Sequence, residues 1–353
     1  MARHAALARG AALLALVECG GARGPSLARR LDALLARQTE SGFAGSVLVA
    51  KGGRVVLDRG YGWADRRHTR RVTPRTRFWI ASISKQFTAA AILTLAEEGR
   101  LSVDDPIARR LPDVPEDKRA ITIEHLLTHT SGLRQRYAAD GIVDRGAAVR
   151  ALLEAPLASP PGRQFSYAND GYNLLAIVVE VVSGEPFERF LRRRLLDPAG
   201  LSDTGFWEHP GHESVAEIPN PVDEQVRVPN WGFRGATGMF STTTDLHRWH
   251  RALSAGRVLS EASRGRLLAP HVAIQDGSAA CGWFRTSGIG GRPTLWTRGT
   301  EGFGHNAILM IYPAEDVVIV AASNAGERNG VAVTRALADE LAAAVFAPAA
   351  VAR

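Results

Sequence analysis

The strand-like stretches of this chain lie towards its two ends, and a long helix-rich stretch separates them. Gly45 to Lys51 and Val55 to Gly62 carry strand-forming residues on either side of Gly52-Gly53, the composition of a hairpin turn. Strand patterns return only at Cys281 to Thr286, Thr294 to Arg298, His305 to Tyr312 and Val317 to Ser323. Helical spacing predicts helices at Ile123 to Leu127, Ala147 to Leu153, Gly171 to Ser183 and Phe187 to Leu195 in between. Leu27, Leu31, Leu34 and Leu35 mark a first helix, and a last one runs from about Val331 to Val345. Residues 78–98 begin aromatic and β-branched, then become an apolar helix that stops at Gly99. This order predicts an α+β fold: an antiparallel sheet built from both chain ends, flanked by helices, with a mostly helical insertion. Residues 26–346 form one domain on this reading, with sheet parts at about 26–120 and 236–346 and the insertion at about 121–235. Residues 1–25 read as a leader and 347–353 as a tail.

The basic residues say more by type than by number. The net charge of +7 is spread along the chain, and Arg192-Arg193-Arg194 falls on a helical stretch, as a solvated face would. No nucleic-acid motif accompanies it, so no nucleic-acid partner is expected. Of 43 basic residues only Lys51, Lys85 and Lys118 are lysines. Arginine keeps its proton in any protein, whereas lysine can release one, so a retained lysine marks a position to inspect. Lys51 and Lys118 sit in polar, turn-like segments and read as solvated. No apolar run is long enough to span a bilayer. Arg3 and Arg9 precede the apolar stretch Ala11 to Val17 and the small residues Gly20 to Ala22, the pattern of an export signal. Export to a periplasmic or secreted location is the expectation, with a lipid anchor at Cys19 as a variant and a cytoplasmic location as the alternative. Glu18 stands where a lipoprotein box has a small residue. Cys281 is then alone and reads as a buried small residue.

Two short segments carry acyl-transfer chemistry. Ser82 and Lys85 lie three apart at a helix start, so they share a face. A helix N-terminus favours a neutral amine and a developing alkoxide, and a neutral amine can take the proton of an attacking hydroxyl. An N-cap serine with an exposed lysine would give the same four residues. Pro160-Pro161-Gly162 is a rigid turn that delivers Tyr167 and Asn169 to the start of another helix. A tyrosine beside a lysine can shuttle a proton, and the asparagine can donate to a carbonyl. There is no Gly-x-Ser-x-Gly elbow, His-Glu-x-x-His pair or phosphate-binding Gly-Lys-Ser/Thr loop. His209, His212 and Glu213 lie in a Pro/Gly stretch that reads as a solvated loop, not a metal site. No metal or organic cofactor is implied.

Ser-x-x-Lys followed by Tyr-x-Asn after a Pro-Gly turn resembles the motif pair of class C β-lactamases and related penicillin-recognising enzymes. Ile121 to Leu133, containing Leu126-Leu127-Thr128-His129-Thr130-Ser131-Gly132, and Gly235 to Leu246 resemble two further blocks of that family. The resemblance covers about Leu31 to Phe346 and implies a β-lactamase/transpeptidase-like fold. It implies Ser82 as nucleophile, with Lys85 and Tyr167 handling protons and Asn169 orienting the acyl side. His129 ties down a loop on this reading. The third family motif, Lys-Thr-Gly or His-x-Gly, departs. Aligned without gaps on Gly302-Phe303-Gly304, its positions hold Trp296-Thr297-Arg298, and the Gly299 N–H supplies half of the oxyanion hole. A one-residue shift reads Thr297-Arg298-Gly299 instead. Trp at the first position resembles family VIII carboxylesterases.

The resulting expectation is a serine hydrolase of the carboxylesterase kind, acting on small uncharged esters or amides, because the family's carboxylate-binding cation is missing. Arg298 could supply a displaced cation, which favours the alternative of a β-lactamase or D-Ala-D-Ala carboxypeptidase. A further alternative is a catalytically weak penicillin-binding-type protein, its cleft blocked by Trp296 or Arg298. Oligomeric state is not legible in the sequence.

Overall fold

Strands from both ends of the chain meet in a single sheet. The computed structural model describes residues 25–207, 214–218, 230–300, 302, 304–328 and 331–348. The leader, His209, His212 and Glu213 lie outside the described residues. The first half contributes α1 (Leu27–Glu40), β1 (Gly45–Lys51), β2 (Arg54–Tyr61), α2 (Ser84–Glu97), α3 (Ile123–Leu127), α4 (Arg145–Glu154), α5 (Asn169–Ser183) and α6 (Phe187–Leu191). The second half contributes α7 (Thr243–Ser254), α8 (Glu261–Leu268), β3 (Val272–Ile274), β4 (Gly277–Ala279), β5 (Phe284–Ser287), β6 (Pro293–Thr300), β7 (Asn306–Tyr312), β8 (Val317–Ser323) and α9 (Val333–Phe346). The sheet order is β2-β1-β8-β7-β6-β5-β4-β3, antiparallel throughout. The junction of the two ends is β1 against β8, in register from Gly45 opposite Ser323 to Lys51 opposite Val317.

Alternation along the strands sorts the core into two layers. Val47, Val49, Ile308, Met310 and Ile319 face α1 and α9, where Leu31, Leu35, Leu337 and Leu341 meet them. Leu48, Ala50, Leu309, Val318 and Val320 face the other way, towards α2 and α5. Helix α2 is buried from Ser84 to Leu95 on every side, as a helix without a polar face must be. Among the described residues no helix is long and apolar enough to cross a membrane.

Several local expectations need correction. The strand expected from Cys281 begins at Phe284, and β3 and β4 were not foreseen. The helix expected through Leu195 ends as α6 at Leu191 and passes into a π turn over Arg192–Leu196. Lys118 is not solvated: it is 2% exposed, and its Nζ donates to both oxygens of Asp117 at 2.7 and 2.9 Å.

His305, just ahead of β7, ties the segment leading to Ser82 to the sheet. Its Nδ1 accepts the Trp79 N–H at 3.0 Å, and its Nε2 faces the Glu217 carbonyl at 3.1 Å. Burial pushes its pKa from the usual 6.5 down to about 4. The unfolded chain therefore binds this proton at higher pH than the folded one. The stability it contributes is complete above about pH 6.5 and drains away as pH falls towards 4, at about 1.4 kcal/mol per unit. Thermal melts across that window should show a shallower decline for His305→Gln, each protein being referred to its own neutral-pH value. Parallel declines would rule out this histidine as a source of acid lability.

Candidate active site

The strand-to-helix passage at Phe78–Ser84 is pulled taut from three directions. The Trp79 N–H is held by His305, the Ile80 N–H by the Met239 carbonyl at 2.9 Å, and the Trp79 indole by the Thr237 carbonyl. Ala81 is left with φ of +47°, a left-handed conformation that a non-glycine residue keeps only where its surroundings enforce it. The next residue is Ser82, on a single 3₁₀ turn (Ala81–Ile83) that runs into α2. Its side chain is half-buried while its neighbours are fully buried.

Around the Ser82 Oγ the expected residues converge. Lys85 Nζ lies 3.0 Å away and Tyr167 Oη donates at 2.8 Å. Lys85 is 1% exposed; its Nζ also donates to Asn169 Oδ1 at 2.6 Å and to the Ala236 carbonyl at 3.1 Å. The Tyr167 ring lies 4.9 Å from the same nitrogen. Asn169 is therefore first a lysine anchor, at the opening residue of α5.

His129 holds the tyrosine in place. Its ring stacks on Tyr167 at 4.4 Å between centroids, its Nδ1 accepts the Ala168 N–H at 3.2 Å, and its carbonyl accepts the Ser166 N–H at 2.8 Å. Burial, and secondarily the Lys85 charge, push its pKa down to about 3. It stays neutral at working pH, and its Nδ1 lone pair is occupied. Cys281 is buried, with Sγ 3.6 Å from His271 Nε2, while His271 Nδ1 lies 3.0 Å from Glu124. Burial keeps that thiol's pKa raised, and none of the three lines the cavities at Ser82.

Strand β6 supplies the opposite wall, in a register that differs from the gap-free reading. Leu295 packs on the α2 side of the sheet and Trp296 on the α9 side. Trp296 stacks on Phe284 at 4.7 Å, donates to Thr286 Oγ1 at 3.0 Å and lies under Arg335 of α9. Arg298 is exposed and its guanidinium reaches over the Trp296 ring at 5.9 Å. The cleft-side position falls to Thr297, which is 2% exposed and lines the narrow pocket with Ser82 and Lys85. A Cβ on Gly299 would lie 2.0 Å from the Ile80 carbonyl oxygen and 2.8 Å from Ala81 Cβ. That contact is why this position has no side chain. It fits the shifted reading, Thr297-Arg298-Gly299.

The β5 ladder stops at Phe284 opposite Trp296. Among the described residues Thr297–Thr300 thus have no strand partner on that side, and the open edge faces the Ser82 turn. Gly299→Ala should force β6 away from that turn. The expected cost is about 1–3 kcal/mol of stability, as for other overpacked sites, together with slower labelling of Ser82. A melt and a labelling time course check both, and normal labelling would show that the close approach is not needed.

A chamber of about 380 Å³ opens from Ser82, lined among others by Tyr167, Asn169, Phe233, Thr300 and Asp140. A larger cavity of about 530 Å³ lies at Lys118, Val149 and Arg150 and contains none of these residues.

A sheet built from both chain ends, with a serine, a lysine and a tyrosine meeting at its edge, defines the class of β-lactamase-fold serine hydrolases. The chain belongs to the Beta-lactamase family, whose model matches residues 27–344. Penicillin-binding protein 4* of Bacillus subtilis (strain 168) is 30% identical over 254 residues, 65% of this chain and 56% of that protein. Curated relatives of this kind are matched over 48–60% of their own length. The solved structure of EstCE1, a hydrolase with promiscuous acyltransferase activity, superposes with a TM-score of 0.76 at 23% identity, covering 91% of this chain and 98% of that one. The D-amino acid amidase of Ochrobactrum anthropi SV3 superposes with a TM-score of 0.77 at 22% identity, covering 90% and 98%. These two structures share the fold.

Proposed function

We propose that this chain is a carboxylesterase-like serine hydrolase that acylates Ser82 with small substrates lacking a carboxylate. The observation that carries the reading is the meeting of Lys85 Nζ and Tyr167 Oη on the Ser82 Oγ at 3.0 and 2.8 Å. The Ser82 hydroxyl attacks a carbonyl carbon in the chamber, and its proton passes to the Lys85–Tyr167 pair. The leaving alcohol takes a proton as the acyl-enzyme forms, and water then releases the acid. The Ser82 N–H is one oxyanion donor. With Gly299 pressed on Ile80, the second donor moves from the Gly299 N–H to the Thr300 N–H, since Thr300 borders the same chamber as Ser82.

The preference for substrates without a carboxylate now rests on Thr297 rather than on Trp296. Trp296 projects to the far side of β6, the Arg298 guanidinium reaches over its ring while Arg298 also borders the narrow pocket at Ser82, and the neutral Thr297 takes the cleft-side place of the strand. The test is kcat/KM for p-nitrophenyl butyrate against nitrocefin and a D-Ala-D-Ala peptide. Short esters should be favoured. Thr297→Lys should move the ratio towards the carboxylate-bearing substrates by about tenfold to a hundredfold, the worth of a charge-assisted hydrogen bond. Trp296→Lys should leave it near the wild-type value. A shift with Trp296→Lys and none with Thr297→Lys would restore the gap-free register. Wild-type preference for nitrocefin would favour the β-lactamase reading, and absence of turnover on all three the binding-protein reading.

A further inference from the structure

The chamber at Ser82 carries a carboxylate that the acyl-transfer chemistry does not use. Asp140 lines it together with Ser82, Tyr167 and Asn169. Its loop is built to present it. Asp170, 2% exposed and next to the lysine anchor Asn169, accepts the Ala138 N–H at 3.4 Å, with backbone bonds from Arg136 and Tyr137 as well. Asp140 N–H in turn donates to the Tyr137 carbonyl at 3.2 Å.

Gly232 makes the room. A Cβ there would lie 2.2 Å from Asp140 Oδ1 and 2.7 Å from its Cα, so the carboxylate rests on bare backbone at the chamber wall. Arg136 acts on the nearby Asp170 through its charge, whereas among the described residues no arginine or lysine acts in this way on Asp140. Lys85, which lines the narrower pocket at Ser82, is committed to three oxygen acceptors. Asp140 is itself exposed, and partial desolvation together with the neighbouring Asp170 raises its carboxyl to about 6, so a cation in the chamber would favour its charged form.

We infer that Asp140 selects substrates whose acyl part carries a positively charged ammonium group, as amino-acyl or betaine-type esters and amides do. This rests on the hydrolase reading above and adds the substrate class. The acyl side is assigned because Asp140 shares the chamber with Asn169, the residue that the family resemblance makes the acyl-orienting group, and with Thr300. The ammonium group stays intact throughout: Asp140 contributes charge and hydrogen-bond acceptors, and Ser82 makes and breaks the acyl bond.

The test compares an isosteric pair, the p-nitrophenyl esters of betaine and of 3,3-dimethylbutanoic acid, on wild type and Asp140→Asn. Each rate is divided by its uncatalysed rate. The substitution should lower kcat/KM for the cationic ester by about tenfold more than for the neutral one, the scale of one close pair of unit charges near a protein surface, since a trimethylammonium group has no N–H and acts by charge alone. Calorimetry of the two corresponding amides with Ser82→Ala and Ser82→Ala/Asp140→Asn reads the same preference without turnover. A preference for betaine amide that vanishes with Asp140 supports the inference even if neither ester is hydrolysed, an outcome that would sink only the esterase reading. Equal effects on charged and neutral partners in both measurements overturn it while leaving the Ser82 assignment standing.

Discussion

Ser82→Ala removes covalent labelling by a fluorophosphonate and with it ester turnover. Lys85 Nζ and Tyr167 Oη meet on this one oxygen, at 3.0 and 2.8 Å, and both lose their common partner together. Where a nucleophile acts as a unit with its base, deleting it has cost about a millionfold in another serine hydrolase, so a loss of at least about a thousandfold is expected here. Ser84, two residues along, is the control. Its Oγ accepts the Met239 N–H at 3.2 Å and its side chain is fully buried. Ser84→Ala should therefore keep labelling and lose about 1–3 kcal/mol of stability for the stranded N–H. Rates are read on p-nitrophenyl butyrate and labelling on intact protein by mass. Equal labelling of wild type and Ser82→Ala would remove the nucleophile assignment, and loss of labelling in Ser84→Ala alone would transfer it.

What could be read from the sequence was what is local. Ser82 and Lys85 come together through helix geometry over three residues, and Pro160-Pro161-Gly162 announces the turn before Tyr167. The sheet's assembly from both ends followed from the order of the strand patterns, since apolar strands so far apart in sequence need a common sheet to bury their faces. The faces of β6 were not local. Leu295 and Trp296 are adjacent and both apolar, so alternation cannot say which points at the cleft, and a slip of one residue exchanges the two faces. The packing of Trp296 under Arg335 decides it. Gly299 held the clue, as the one glycine in a strand that passes within contact of Ile80.

Asp140 had no signal at all, because its place at Ser82 depends on Asp170 pinning a loop 32 residues earlier in the chain. Lys118 misled for a related reason. Glu116-Asp117-Lys118-Arg119 reads as a solvated charge run, yet the fold closes over the lysine and leaves it one carboxylate, Asp117. β3 and β4 escaped because three residues each is too short for a periodic signal.

Lys85→Arg should cost at least about a hundredfold in turnover, the low end for removing a general base. The substitution keeps a cation on the same stretch of α2, so an electrostatic role alone would survive it. A role in proton transfer would not, because a guanidinium keeps its proton. Geometry points the same way. The Nζ sits among Ser82 Oγ, Asn169 Oδ1 and the Ala236 carbonyl, three acceptors arranged around a point donor. A planar fork cannot address all three, and the pocket beside Ser82 and Lys85 is only about 10 Å³. Misplacement is separated from lost chemistry by a second variant. Lys85→Ala removes the charge and the bulk together, leaving Ser82 with Tyr167 as its remaining partner. If lysine works as a base, both variants fall to similar low rates on p-nitrophenyl butyrate, and added small amines restore part of the activity to Lys85→Ala but none to Lys85→Arg. If the lysine is only a counter-charge, Lys85→Arg stays within a few fold of wild type while Lys85→Ala falls. That second pattern would leave Tyr167 as the group that takes the Ser82 proton.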